Sequence, residues 1–423
     1  MRERRIVDLL SVDSARLRCY SEGQSFVHRA RLVVSCSVLD RGKAGRMSST
    51  LKELGRLAGV HPSTVARVLN DDPRQRVSAE VRQRIRALAV ERGYQPNRVA
   101  RSLRTKRSSV IGTLIPDIAN PFFALIFRGI EDALAARDFS VILANTDDEL
   151  AREERGVAML RGRQVDGLIL ATVRRHDPIV ERLMAEQVPL VLVNRHTEPI
   201  TPNAVVPADY AGSDMAVAHL VELGHRRIAH IAGSSEMSTG ATRLHGYRDA
   251  LERHGMPFDP DLVMEGSYRE PGGFEAMRRL LALPEPPTAV FAVNDLAATG
   301  AIRALREAGL EVPGDVSVVG FNDLSTAAPT AASLTSLHLP LHAMGMAAAE
   351  RLLAQILGGA AFTEPVILPV TLIVRDSSGP PQARGAQPAT RHATKTARRA
   401  GRIPGRVRDG DGTSGTRERL ARF

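Results

Sequence analysis

Cysteine is almost missing from the 423-residue chain, which holds two, Cys19 and Cys36. That excludes a disulfide scaffold and a zinc site built on thiolates. Tryptophan is absent and aromatic residues make up 4% of the chain, too few for the stacking platforms that hold single-stranded nucleic acid. No uninterrupted apolar run reaches the roughly 18 residues that a membrane-crossing helix needs. The sequence also lacks G-x-x-x-x-G-K-[ST], G-x-S-x-G and H-E-x-x-H, the patterns of phosphate loops, nucleophile elbows and zinc hydrolases. The 12 histidines do not fall in ligand spacing. His338 and His342 lack a third ligand, and with His225 and His230 they read as surface or capping residues. These absences predict no enzyme, no metal and no cofactor.

Charge is abundant but unevenly placed. Residues 1–46 carry a net +5, 47–108 a net +9, 109–381 a net −12 and 382–423 a net +8, within an overall +10. Arginine enrichment from coding bias would not leave the large central part acidic. A short basic module joined to an acidic globular body points to a polyanion partner for one part of the chain.

The two ends differ from the middle. Residues 1–46 show no sustained period, and the three-residue apolar run before Ser35-Cys36 is too short for the core of a signal peptide. The reading there is that Met47 is the initiator or that 1–46 are disordered. From Gly379 to Phe423 the chain is rich in Pro, Gly, Thr and Arg, with little to bury against the entropy of ordering, so a disordered basic tail is expected.

Between them, residues 47–96 read as a helix-turn-helix. Thr50 and Glu53 have capping-box spacing. Leu51, Leu54, Leu57 and Ala58 form one apolar face, and Gly59 supplies a turn that needs positive φ. Pro62 stands where a second helix tolerates a missing N–H. On that helix Val65, Val68 and Leu69 face inward, while Ser63, Thr64 and Arg67 face out, as a recognition helix in a major groove requires. Arg67 has the fork that matches guanine O6 and N7. Ser78 caps a third helix, which Gly93 ends.

The acidic body alternates strands and helices. Val110–Ile115, Val141–Ala144, Val165–Leu170 and Pro189–Val193 are short apolar runs separated by helix-length segments. After about residue 208 the scheme repeats with Ile228–Ala232, Val263–Gly266, Ala289–Val293 and Val316–Gly320. Continuous apolar strands alternating with helices predict two parallel sheets, each covered on both faces. Ligands in such folds lie at the carboxyl ends of the strands.

Several ordered blocks now coincide: Ala58-Gly59-Val60, Thr64-Val65-Ala66-Arg67-Val68-Leu69-Asn70, Gly93-Tyr94-Gln95-Pro96-Asn97, Ala100-Arg101-Ser102-Leu103, Asn120-Pro121-Phe122-Phe123, Leu223-Gly224-His225-Arg226-Arg227-Ile228 and Val318-Val319-Gly320-Phe321-Asn322-Asp323. In these, residues 50–378 resemble the lactose-repressor (LacI/GalR) family of transcriptional regulators along that family's whole length. The resemblance implies an all-α helix-turn-helix domain followed by a two-lobed α/β domain of the periplasmic-binding-protein type (109–378), with parallel sheets and three crossings between lobes. It implies a hinge helix within 97–108, on which Leu103 wedges into the minor groove. Unstacking a base step costs a few kcal/mol, offset by the contacts that the bend allows. It further implies a cytoplasmic, nucleoid-associated homodimer on palindromic operator DNA, a repressor role and a carbohydrate-like effector between the lobes.

The DNA-binding positions implied are His61, Pro62, Ser63, Thr64, Arg67, Asn70, Asn97, Arg98, Ala100, Arg101 and Leu103. The family usually has Ser where His61 and Ala66 stand, and Pro62 cannot hydrogen-bond a base. The effector positions implied are Asn120, Phe122, Phe123, Asn194, Arg195, Arg243, Asn294 and Asn322. Taken singly, Asn120 and Asn294 also read as helix caps, and Phe122 and Phe123 as core. Sugar binders usually carry Asp where Asn194 and Asn322 stand, and often Gln where Leu339 stands. Loss of two carboxylates with Arg195 and Arg243 retained predicts a neutral or anionic effector over an amine. An extracytoplasmic sugar-binding protein is the alternative reading. It shares the body but has no use for residues 50–108.

Overall fold

The computed structural model describes residues 50–70, 76–94, 107–324 and 333–382. The expectations for residues 1–46 and 383–423, and for Asn97, Arg98, Ala100, Arg101 and Leu103, lie outside these. The chain divides into two compact units between Pro96 and Asn97.

The first unit holds α1 (Leu51–Ala58), α2 (Pro62–Leu69) and α3 (Ala79–Glu91). Each start is set by a side-chain cap. The Thr50 hydroxyl accepts from the Glu53 N–H at 3.2 Å and the Ser78 hydroxyl from the Val81 N–H at 3.3 Å. The turn between α1 and α2 depends on two glycines. Gly59 sits at φ 70°, and a Cβ on Gly55 would lie 2.8 Å from the Val60 carbonyl oxygen. Leu54, Ala58, Val65, Val68, Ile85 and Ala89 close over one another as the core. Fully burying a Leu or Val stabilises by about 1.5–3 kcal/mol, so these six hold together three helices that would be marginal alone.

The second unit contains two six-stranded sheets. In the first lobe run β1 (Val110–Ile115), α4 (Pro121–Ala135), β2 (Ser140–Asn145), α5 (Leu150–Gly162), β3 (Gly167–Leu170), α6 (Pro178–Ala185), β4 (Leu190–Val193) and β5 (Ala204–Pro207). The second lobe contains α7 (Asp209–Glu222), β6 (Ile228–Ala232), α8 (Ser238–Arg253), β7 (Val263–Glu265), α9 (Glu270–Leu281), β8 (Ala289–Ala292), α10 (Asp295–Glu307), β9 (Ser317–Asn322) and β10 (Thr335–His338). The chain then returns to the first lobe for α11 (Leu341–Ile356) and β11 (Val366–Leu368), and crosses back for β12 (Thr371–Ile373). The strand orders are β11-β5-β4-β3-β1-β2 and β12-β10-β9-β8-β6-β7. All pairings are parallel except β10 with β12. Three crossings therefore join the lobes, after β5, β10 and β11.

Residues of β3, β4 and β8 are buried along their whole length, as expected of parallel strands covered on both faces. The sequence reading did not anticipate β5, β10, β11 or β12. Each has only three or four residues and borders a crossing, so no period can build up. In the first lobe α4 and α11 cross so closely that a Cβ on Gly129 would sit 2.0 Å from the His342 carbonyl oxygen, and one on Gly345 2.0 Å from that of Ile126.

Two expectations are corrected. His225 and His230 are buried, not superficial. His225 bridges Thr288, Ser317 and the Gly379 carbonyl at 2.9–3.0 Å. His230 stacks between Tyr247 and Phe291, and burial pulls its pKa down to about 4. The tail boundary also moves. Gly379 belongs to the body, with its N–H donating to Ser317 at 3.0 Å.

Candidate functional site

On α2 the exposed positions are Ser63 and Arg67, with Pro62 and Thr64 half-buried beside them. His61 is the helix cap. Its Nδ1 accepts from the Ser63 N–H at 3.3 Å and lies 2.8 Å from the Ser63 hydroxyl. An imidazole thus replaces the usual hydroxyl cap and ties up the first outward side chain. Asn70 closes the other end, its amide donating to the Ala66 carbonyl at 2.6 Å. Arg67 has no hydrogen bond or ion pair among the described residues. A free guanidinium on an outward helix face suits phosphate or base-edge recognition.

The body places a second site between its lobes. A cleft enclosing about 560 Å³, open mouth included, is lined by all eight implied effector residues: Asn120, Phe122, Phe123, Asn194, Arg195, Arg243, Asn294 and Asn322. Asn120 follows β1 and caps α4, accepting from the Phe122 N–H at 3.0 Å. Phe122 and Phe123 meet edge-to-face at 5.0 Å and belong to the core while lining the cleft. Asn194 follows β4 and Asn322 ends β9, at φ 68° and 116°. Asn is among the few side chains that tolerate this region. Asn294 caps α10, accepting from the Ala297 N–H at 2.8 Å and donating to the Tyr268 carbonyl at 2.9 Å. The capping and the cleft-lining readings therefore hold together for both Asn120 and Asn294.

The cations are not free, which alters the charge expectation. Arg195 is 3% exposed, and its guanidinium meets the Asp148 carboxylate at 2.6 Å. Burial works against that charge, but Asp148 holds the guanidinium above its ordinary pKa. Arg243 is equally buried. It donates to Asp209 at 2.8 and 2.9 Å and to the Val293 carbonyl at 2.5 Å. Its guanidinium also lies 3.7 Å from the centre of the Phe321 ring. Burial pushes the Asp209 carboxyl up against the pull of Arg243. Arg269, on the second lobe, reaches across to Asp117 on the first at 2.9 Å. The three cleft arginines each have a counterion, so the site is close to charge-neutral.

Three buried polar atoms of cleft residues have no partner among the described residues: Asn194 Oδ1, Asn322 Oδ1 and Arg195 Nε. Buried polar atoms are normally satisfied, and these three belong to residues that line the cleft, where water or a bound molecule can pair them. Two acceptors and a donor beside aromatic edges match a ligand bearing hydroxyl groups, each of which donates and accepts.

Sequence reasoning missed Asp117, Asp148, Thr239, Tyr268, Arg269 and Leu296, which also line the cleft. Tyr268 is held by Thr239 at 3.0 Å, and Arg195 stands 5.6 Å over its ring from the opposite lobe. Position after a strand flags Asp117, Asp148 and Tyr268, but nothing local distinguishes them from other loop residues. Among the described residues no cluster of His, Cys, Asp and Glu is arranged to hold a metal ion. Nor is any described helix long and apolar enough to cross a membrane.

Residues 50–97 match the model of bacterial regulatory proteins of the lacI family, and 217–378 that of a periplasmic binding protein-like domain. The ribose operon repressor of Escherichia coli K12 is 35% identical over 309 residues, 73% of this chain and 93% of its own length. The lac repressor dimer bound to operator and an anti-inducer superposes with a TM-score of 0.69 at 29% identity, covering 78% of this chain and 99% of that one. The complex of the transcriptional regulator CelR with cellobiose gives a TM-score of 0.60 at 35% identity, covering 78% and 100%.

Proposed function

The chain belongs to the LacI family of DNA-binding transcriptional regulators, and we propose that it is a repressor released from or fixed on its operator by an uncharged carbohydrate held in the interlobe cleft. The orphaned atoms of Asn194, Arg195 and Asn322 carry the effector half of this reading. They come from both lobes, so a hydroxylated ring bridging them is bound best when the lobes are closed. A ligand shifts a conformational equilibrium only by binding its states unequally. A ligand held by both lobes does so, because opening the cleft breaks half its contacts.

The DNA half rests on the helix-turn-helix. In a homodimer the two α2 helices address two half-sites of a palindrome, one helical turn apart or a multiple of it. Ser63, Thr64 and Arg67 face the groove, flanked by His61, Pro62 and Asn70, and Asn97, Arg98, Ala100 and Arg101 act with Leu103 on the operator. This reading places the protein in the cytoplasm, on the nucleoid. Selection of bound genomic fragments by the purified full-length protein tests it. A palindromic motif upstream of carbohydrate genes is expected, and recovery of fragments without shared sequence would contradict it.

A further inference from the structure

Asp148 lies in the loop between β2 and α5, where it and Asp147 both take positive φ, 59° and 54°. The loop is fixed from behind. Arg174 donates to the Asp148 carbonyl at 2.8 Å and is itself held by the buried Glu153 at 3.1 Å. The Asp148 carboxylate is thereby presented to Arg195, with Oδ1 2.6 Å from one terminal nitrogen and Oδ2 3.5 Å from the other. The two side chains are unequal. That of Arg195 is 4% exposed and that of Asp148 38%. The cation is sealed in the cleft wall, while its counterion is the half in reach of solvent.

A buried charge without a partner is costly, and an isolated guanidinium in such a wall recruits whatever anion reaches it. With Asp148 in place the terminal nitrogens facing it are already bonded, and Nε remains as the unpartnered donor. Resting on the effector reading above, we propose that Asp148 sets the charge selectivity of the cleft: it occupies Arg195 so that the site accepts neutral polyhydroxylated ligands and rejects carboxylated or phosphorylated ones. The remaining cleft cations do not restore anion affinity, since Arg243 is neutralised by Asp209 and Arg269 by Asp117.

The test is calorimetric titration of the full-length protein with D-ribose, D-glucose, D-galactose and cellobiose, each beside its aldonic acid and its terminal phosphate. In the wild-type protein the neutral member of the binding series is expected to bind at least tenfold tighter than its acidic counterparts. Asp148→Asn removes the counterion but keeps the size, and the neutral-to-acid ratio is expected to fall at least tenfold. Asp148→Glu keeps the charge and is expected to keep the neutral preference. Wild-type preference for acidic members, or an unchanged ratio in a folded Asp148→Asn protein, overturns the proposal while leaving a carbohydrate effector standing. If Asp148→Asn does not fold, the wild-type ranking and Asp148→Glu decide. No binding by any member would instead overturn the carbohydrate reading itself, and the proposal with it.

Discussion

Arg243 and Asp209 form a buried ion pair at 2.8 Å that links the cleft wall to the first residue beyond the first interlobe crossing. Arg243 stands on α8 facing the cleft, and Asp209 opens α7 directly after β5 has left the other lobe. The pair therefore joins the cleft wall to the interlobe crossing.

Arg243→Ala is expected to lower stability by about 3–5 kcal/mol, because Asp209 is left as an uncompensated buried carboxylate. Chemical denaturation measures this. The same substitution should remove the effector response. An unchanged unfolding midpoint would mean that the pair does not act as the geometry describes.

Arg67→Ala is expected to weaken operator binding by about 1–3 kcal/mol and to relax base choice at one position of each half-site. A binding-site motif determined for both proteins checks it. A motif of unaltered information content would remove the base contact.

Helical capping and turn chemistry are local, which is why the first unit was legible in the sequence. Thr50, Gly59, Pro62 and Ser78 announce their roles within four residues. The cleft was legible in part. Residues at the carboxyl ends of long strands, such as Asn194 and Asn322, follow from alternation and the family pattern together. Their counterions do not. Asp148 meets Arg195 from 47 residues away in sequence and Asp209 meets Arg243 from 34, so the free positive charge expected from the sequence vanishes once the chain is folded. His225 and His230 were misplaced for the same reason. Their burial depends on Ser317 and Phe291, far along the chain.

On the proposed role of Leu103 in a bent operator, Leu103→Ala is expected to weaken operator affinity far more than nonspecific binding. Anisotropy titrations with operator and scrambled duplexes measure both. Equal losses would exclude the wedge. Operator affinity should also fall steeply with salt, as phosphate contacts release counterions.

Asp295 gives a pH prediction. Burial pushes its pKa up to about 7 from an ordinary 3.8, against the hydrogen bonds that it receives from Ser336 and Leu324. Between those values the folded chain keeps a proton that the unfolded chain has lost, so this group's contribution to stability falls as pH rises through the interval. Asp295→Asn removes the titration. The wild-type protein should lose roughly 1–4 kcal/mol relative to the variant between pH 4 and pH 7. Parallel stability curves for the two proteins would contradict this.

The most direct measurement is the anisotropy of a fluorescent operator duplex bound by the full-length protein, titrated with the tightest-binding neutral sugar and repeated with Asn194→Ala and Asn322→Ala. A sugar-dependent change in operator affinity, at least fivefold in the wild-type protein and lost in both variants, is the predicted result. A wild-type operator affinity that no neutral sugar alters, or a response that survives loss of both asparagines, would contradict it.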